Sequence, residues 1–163
     1  MTYIALRADL FDASALVKVF ANEPASQIVR SYWRSRATKY TTPYCFYEAL
    51  NILKSKWKYR NELTVTEYLN AAYELTAWYG ASSAKLDDLD FSDPHTFAET
   101  RALSDRSGLD LSDAFQIVSI KRGYYSALAN DSKTVLVTAD SALAVVAGTE
   151  GIKAWYVMNE PPP

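Results

Sequence analysis

Four acidic residues stand at positions from which a carboxylate could act on a metal ion or a substrate. They are Asp12, Glu48, Asp113 and Asp140. The first and the last follow short apolar runs, 8–11 and 135–138, each of which predicts a buried strand. The third lies in the first turn of a predicted helix, and the second lies inside another helix among apolar residues. An acid beside an apolar segment is costly to bury unless it is paired or binds a metal ion.

The chemistry open to such a group of acids depends on whether they meet. Clustered carboxylates repel one another, so the pKa of at least one should rise when no cation is bound. A site made of oxygen ligands selects Mg²⁺ or Mn²⁺ rather than zinc, and such an ion can activate water for an in-line phosphoryl transfer. Each acid also has a structural interpretation, because the three aspartates could cap helices and Glu48 could face solvent.

The elements that must position these acids are predicted from apolar periodicity and turn residues. Strands are predicted at 8–11, 39–41, 85–89, 134–138 and 153–157. Helices are predicted at 13–20, 24–37, 43–59, 64–79, 93–108, 113–122 and 139–146, with Ser112 as the N-cap of the sixth. Strands that alternate with helices indicate an α/β domain with a mainly parallel sheet, which binds ligands outside the carboxyl ends of its strands.

The composition fits one globular domain and excludes several kinds of site. The chain has 163 residues, of which 49% are hydrophobic, and its net charge of −2 gives no global basic field for nucleic acid. The single Cys45 and the single His95 exclude an intramolecular disulfide, a cysteine-built zinc site and a histidine-rich metal cluster. A run of about 18 apolar residues and a signal-peptide pattern are both lacking, so we expect a soluble cytoplasmic protein with no membrane association.

Four sequence stretches carry a resemblance to a known family. They are FDASALVK (11–18), PYCFYEAL (43–50), LSDAFQI (111–117) and VLVTAD (135–140). In this order and spacing they resemble the PIN-domain nucleases, and most closely the VapC-type toxins of toxin–antitoxin systems. The resemblance implies a single domain over 1–163, with an ordered core over about 3–158, folded as a three-layer α/β/α sandwich around a mainly parallel sheet.

The same resemblance implies an activity and a site. It implies a metal-dependent endoribonuclease whose Mg²⁺ or Mn²⁺ is held by Asp12, Glu48, Asp113 and Asp140, with supporting hydroxyls on Ser14 and Thr138. It also implies an RNA substrate, a small antitoxin protein as partner, and a homodimer. Two alternatives remain open: a non-catalytic PIN-like module that binds metal or RNA, and an aspartate-phosphorylating hydrolase with Asp12 as nucleophile. The hydrolase usually has a second Asp where this chain has Ser14.

Other residues are candidates for contacts around the acids. Basic residues alternate with aromatic ones over 54–60, and the basic side chains could contact RNA or form the solvated end of a helix. These are Lys54, Lys56, Lys58 and Arg60. Asp110 could be a fifth site acid, although a loop or capping role is favoured. Glu23 matches a commonly acidic position of the family, and its favoured interpretation is a solvated acid at a helix start. Four aromatic residues could line a partner groove or pack in the core: Tyr68, Tyr73, Trp78 and Tyr79.

Overall fold

The computed structural model describes residues 7–81 and 88–163, and these residues form four strands and eight helices. The strands are β1 (Ala8–Phe11), β2 (Thr38–Tyr40), β3 (Thr134–Thr138) and β4 (Lys153–Tyr156). The helices are α1 (Ala13–Phe20), α2 (Ser26–Trp33), α3 (Pro43–Lys58), α4 (Val65–Ala81), α5 (Pro94–Ser107), α6 (Leu111–Arg122), α7 (Ser126–Asn130) and α8 (Ser141–Thr149).

The sheet is parallel throughout its four described strands, in the order β2-β1-β3-β4. Leu10 of β1 is paired with Tyr40 of β2 on one side and with Leu136 of β3 on the other. The chain therefore leaves β1 toward one edge of the sheet and returns on the opposite side of β1 as β3. The carboxyl ends of β1 and β3 flank this switch in direction, which is where open α/β sheets bind their ligands.

Two hydrophobic cores lie on opposite faces of the sheet. On one face, Phe11, Val137 and Trp155 pack against α1, α2, α3 and α4. On the other face, Leu10 and Leu136 pack against α5, α6, α7 and α8. Neighbouring residues of a strand point to opposite faces, so each central strand supplies both cores. The predicted three-layer α/β/α sandwich is confirmed.

Several predicted boundaries were wrong for local reasons. The second helix starts at Ser26 instead of residue 24, because Ala25 adopts a left-handed backbone with φ of 68°. Helix α4 continues through Gly80, which costs a helix only about 1 kcal/mol relative to alanine. Helix α7 was missed. Of the predicted strand 85–89, residues 85–87 lie outside the described residues, and the remaining two lie in no strand.

The helix that carries Asp113 was also placed imprecisely. It begins at Leu111 and its N-cap is Asp110, whereas Ser112 was predicted to be the cap. Asp110 Oδ1 accepts a hydrogen bond from the Asp113 backbone N–H at 2.9 Å, and the Ser112 hydroxyl only donates to the same oxygen. Across residues 7–81 and 88–163, the helices are all too short or too polar to cross a lipid bilayer.

Candidate active site

Asp12 is a buried carboxylate at the carboxyl end of β1. Its exposure is only 4%, and it is the N-cap of α1, where its Oδ1 accepts hydrogen bonds from the Ala15 N–H at 2.8 Å and the Ser14 hydroxyl at 2.7 Å. Its Oδ2 accepts from the Thr138 hydroxyl at 2.5 Å. Burial raises the pKa of Asp12, and the hydrogen bonds from Thr138 and Ser14 oppose that rise. The carboxylate is thus fixed in place while its charge is poorly solvated.

The hydroxyls of Ser14 and Thr138 each join the end of β1 to the end of β3. Ser14 Oγ donates to Asp12 and accepts from the Ala139 N–H at 2.8 Å. Thr138 Oγ1 donates to Asp12 and accepts from the Asp140 N–H at 2.9 Å. Both side chains therefore form hydrogen bonds to the carboxylate of Asp12. They also fix the distance between the two strand ends that carry Asp12 and Asp140.

Asp140 and Asp113 reach the same region from the other layer of helices. Asp140 is the N-cap of α8, and its Oδ1 accepts from the Ala142 N–H at 2.8 Å and the Leu143 N–H at 3.1 Å. Asp113 lies in the first turn of α6, three residues after the N-cap residue Asp110. Acidic groups are favoured at both helix N-termini by the unpaired N–H groups there. The position of each acid at a helix N-terminus could therefore explain it by itself. The more informative observation is that the charge of Asp140 acts on Asp113.

The predicted acids lie close enough for their charges to act on one another. Burial raises the pKa of Asp113 to about 7, and the charges of Asp110, Asp12, Asp140 and Glu48 add to the rise. Burial likewise raises the pKa of Glu48, with further contributions from Asp12, Asp110 and Asp140. The four predicted acids lie on different elements, so it is the fold that brings their charges together. Asp110 is an N-cap, as its favoured interpretation required, and it also adds to this field.

The carboxylates of the candidate site suit one kind of divalent ion. Among the described residues, no three His, Cys, Asp or Glu side chains lie close enough together to form a ready-made metal cluster. The donors near Asp113 are nevertheless carboxylate oxygens, and burial together with their negative charge raises its pKa. Mg²⁺ typically keeps several water ligands and is bound through one or two carboxylates. The residues present fit such a hydrated ion, and they do not fit an ion enclosed by protein ligands.

Gln116 is a site-adjacent residue that the sequence reasoning missed. Its Nε2 donates to Asp113 Oδ1 at 3.0 Å, and the side chain is buried at 1% exposure. The two residues are three positions apart on α6, which places them on one face of the helix. That spacing was the available signal. Gln116 orients the carboxylate of Asp113 and fixes which of its oxygens is already occupied.

The basic segment 54–60 is only partly available to RNA. The candidate Lys56 must be corrected, because its side chain is buried and forms ion pairs with Glu23 at 2.7 Å and Glu62 at 2.5 Å. Glu23 is itself mostly buried and pairs with Lys18 at 2.7 Å, so it is not a solvated acid. The three remaining candidates are exposed: Lys54, Lys58 and Arg60.

The four aromatic candidates for a partner groove are mostly used in the core. Tyr68, Trp78 and Tyr79 pack against the first core, and only Tyr73 is strongly exposed, at 75%. Tyr73 continues a line of exposed apolar side chains on α4 with Val65 and Leu69. Because these three residues are spaced by four positions, they lie along one face of the helix.

Comparison with known proteins decides the family. The model of the PIN domain matches residues 10–149. The chain belongs to the PIN domain family. PIN domains are generally nucleases and usually use divalent metal ions. This PIN domain therefore has a nuclease-type fold.

A solved structure supports the same assignment. The crystal structure of PAE2754 from Pyrobaculum aerophilum is similar to this PIN domain, with 25% sequence identity and a TM-score of 0.52. The similarity covers 91% of this chain and 91% of that chain. Among the curated proteins, none gives a significant match. The likeness therefore extends over nearly the whole length of both chains.

Proposed function

We propose that this PIN domain is a metal-dependent endoribonuclease, and that it is the toxin of a toxin–antitoxin pair. The observation that carries the proposal is the buried Asp12 at the carboxyl end of β1, whose carboxylate is held by hydrogen bonds from Ala15, Ser14 and Thr138. Asp113 supports it, because burial and the charges of Asp110, Asp12, Asp140 and Glu48 raise its pKa to about 7. The charge excess lies at the carboxyl ends of β1 and β3. A carboxyl with such a pKa near a strand-end ligand site is typical of a catalytic centre.

We assign each residue a role from its surroundings. Asp12, Glu48, Asp113 and Asp140 would hold a hydrated Mg²⁺ or Mn²⁺, directly or through its water ligands, and the ion would supply an activated water and stabilise charge on the phosphate. Asp12 is held by three hydrogen bonds and serves as a fixed ligand. Asp113 has a pKa close to neutral, so it can hold or release a proton under physiological conditions. Gln116 keeps the Asp113 carboxylate in one orientation.

The first test replaces the fixed ligand. Asp12→Asn retains an Oδ1 acceptor for the Ala15 N–H. It also removes a carboxylate charge that burial already disfavours, as the raised pKa of Asp12 shows, so we expect the fold to persist. Wild type should cleave mixed cellular RNA with Mn²⁺ or Mg²⁺, and the variant should lose at least about 100-fold in rate. EDTA should abolish cleavage. The matched control is Asp105→Asn on α5, an exposed acid that should leave the rate unchanged.

The outcomes of this test distinguish the proposed nuclease from a non-catalytic module. Unaltered cleavage by folded Asp12→Asn protein would contradict the assignment of the site. Metal binding by wild type without cleavage of any RNA would favour a non-catalytic metal- or RNA-binding module. Absence of metal binding would remove the basis of the proposal.

The toxin role is proposed together with its partners. The exposed line of Val65, Leu69 and Tyr73 on α4 offers an apolar surface for a second copy or for a small antitoxin. Exposed Lys54, Lys58 and Arg60 are proposed to contact RNA phosphates. We expect expression in the cytoplasm to arrest growth for wild type and not for Asp12→Asn, and an adjacent small reading frame to relieve the arrest. Growth that is equal for both proteins would contradict the toxin role.

A further inference from the structure

A pocket of about 420 Å³ is lined by residues of α3, α4, α6 and the segment 88–92. Its lining combines aromatic rings with carboxylates, and six of the residues carry the argument: Tyr44, Tyr79, Asp88, Asp90, Phe91 and Phe115. Nothing in the proposed cleavage chemistry uses these residues. The pocket is therefore a feature of the molecule that still lacks a role.

The pocket and the acidic site share their supporting elements. Phe115 follows Asp113 by two residues on α6. Tyr44 precedes Glu48 by four residues on α3, so the two side chains lie on one face of that helix. A strand that runs along this face of α3 past Glu48 would therefore reach Tyr44 at the wall of the pocket.

The rings of the pocket hold one another and leave Tyr44 accessible. The Tyr44 and Phe91 ring centroids are 4.9 Å apart at 63°, and those of Phe91 and Phe115 are 5.3 Å apart at 86°. These edge-to-face contacts fix the rings with little freedom to rotate. Tyr44 is still 39% exposed, so a planar ligand can reach it from solvent.

The two carboxylates of the pocket are hydrogen-bond acceptors. Asp90 Oδ1 accepts from the N–H and the hydroxyl of Ser92, both at 2.8 Å. Asp88 Oδ1 accepts from the Leu89 N–H at 2.8 Å. Each carboxylate has a second oxygen, which accepts no hydrogen bond from the residues that the structure describes. A ligand that suits this pocket is flat and offers hydrogen-bond donors.

We propose that this pocket binds a nucleobase of the RNA next to the cleaved phosphodiester, and that it prefers a base with an exocyclic amino group to uracil. The proposal deepens the ribonuclease function proposed above and rests on it. The base stacks on Tyr44, as bases stack on aromatic side chains in single-strand-binding proteins. Its amino group donates to Asp88 or Asp90, in the way that aspartate reads the N4 amino group of cytosine.

Binding is measured without cleavage, with homotetranucleotides of cytidine, adenosine and uridine titrated in EDTA and followed by NMR. Wild type should bind the cytidine and adenosine forms about tenfold more tightly than the uridine form. Tyr44→Ala should weaken their binding about tenfold, and Tyr44→Phe should restore it. Val145→Ala, which shortens an exposed apolar side chain outside the pocket, should leave binding unchanged.

A second variant tests the acceptor directly and changes no buried residue. Asp90→Asn keeps an Oδ1 acceptor for Ser92 and replaces the second oxygen by a donor. We expect the preference for cytidine over uridine to shrink by about tenfold. Sequencing of the ends left by cleavage of a randomised RNA should show the same change beside the cut.

Failure of this inference is distinguishable from failure of the nuclease function. Equal binding of all tetranucleotides by wild type and Tyr44→Ala would overturn the base pocket, even when RNA is cleaved. Binding of an arginine-containing peptide with no binding of nucleotides would also overturn it, in favour of a protein side chain. A Tyr44-dependent base preference without any cleavage would support the pocket while refuting the nuclease.

Discussion

Single carboxylates in this PIN domain serve both the fold and the site. Asp12, Asp110 and Asp140 are the N-caps of α1, α6 and α8, and each accepts backbone N–H hydrogen bonds there. A capping side chain stabilises its helix by about 1 kcal/mol. The same positions bring negative charge to the carboxyl end of the sheet, where Asp113 has its pKa raised to about 7.

Metal affinity should depend on pH through Asp113. Its pKa of about 7 means that the metal-free site holds a proton below neutrality, and an ion must displace it. We expect Mn²⁺ affinity to fall about tenfold for each pH unit below 7 and to level off above it. Calorimetric titrations between pH 5.5 and 8.5 measure this slope. An affinity that is constant over the range would contradict the assignment.

Asp113→Asn is the control for the same titration and has its own effect on stability. The folded-state pKa of Asp113 lies above its ordinary value of 3.8, so its protonation stabilises the fold at low pH, and that stability is lost as pH rises through about 7. In EDTA the variant should therefore be the more stable protein at pH 8. The difference between the two pKa values limits the gain to about 4 kcal/mol. Urea unfolding at pH 5 and pH 8 measures it.

Helices α1 and α3 are connected by a small ionic cluster, which belongs to the scale of elements. Lys18 on α1 and Lys56 on α3 both pair with Glu23, and Lys56 also pairs with Glu62. The exposed fractions of the Lys18, Lys56 and Glu23 side chains are 7%, 11% and 13%. Removal of one partner from such a buried cluster leaves an uncompensated charge.

Glu23→Gln should therefore destabilise the protein by about 3 kcal/mol, because Lys18 and Lys56 keep their charges and lose a shared partner. The free energy of unfolding in urea measures the effect. The matched control is Glu99→Gln, which breaks the ion pair with Arg122. Both side chains of this pair are more exposed than those of Lys18, Lys56 and Glu23, so the change should cost at most about 1 kcal/mol. Equal losses in the two variants would show that the cluster adds nothing beyond a surface pair.

The connection after α6 depends on the absence of a side chain at Gly123. A Cβ there would lie 2.4 Å from the Ser119 carbonyl oxygen and 2.3 Å from Asp88 Oδ1. Gly123→Ala should destabilise the protein by about 2 kcal/mol through this overpacking, and should also displace Asp88. Gly148→Ala in α8, where no atom lies within 4 Å, should instead stabilise it by about 0.5–1 kcal/mol. Thermal unfolding of both variants tests the contrast.

At the scale of the molecule, the proposed site takes its acids from both layers of helices. Asp12 and Glu48 come from the layer of α1 and α3, and Asp113 and Asp140 come from the layer of α6 and α8. The sheet lies between the layers. An ion bound by acids of both layers is therefore bound only by the complete fold.

A divalent ion should consequently stabilise the whole protein against unfolding. An ion at 100 times its dissociation constant adds about 2.7 kcal/mol, which for this length raises Tm by about 5–10 °C. Circular dichroism melts with Mn²⁺ and with EDTA measure the shift, and Asp12→Asn should lose it. A saturable binding signal without any change in Tm would show that the ion binds outside the four acids.

The sequence was most informative where short-range patterns decide the structure. Asp12 was placed correctly at a strand end because 8–11 is a compact apolar run, and the two-core sandwich follows from the alternation of strands and helices. Lys56 was assigned wrongly to the RNA face because its burial depends on Glu23, a partner on a remote segment. The cap of α6 was misplaced because Asp110 and Ser112 are both good capping residues, and only the folded backbone distinguishes them.

The use of the same aspartates as caps has an evolutionary consequence. Asparagine caps a helix about as well as aspartate does, and at Asp12, Asp110 or Asp140 it would retain an acceptor while removing the charge. One nucleotide change converts an aspartate codon to an asparagine codon. Descendants of this gene can therefore lose the proposed catalytic charge in one step and keep the scaffold, so the fold is well suited to give rise to binding proteins by duplication.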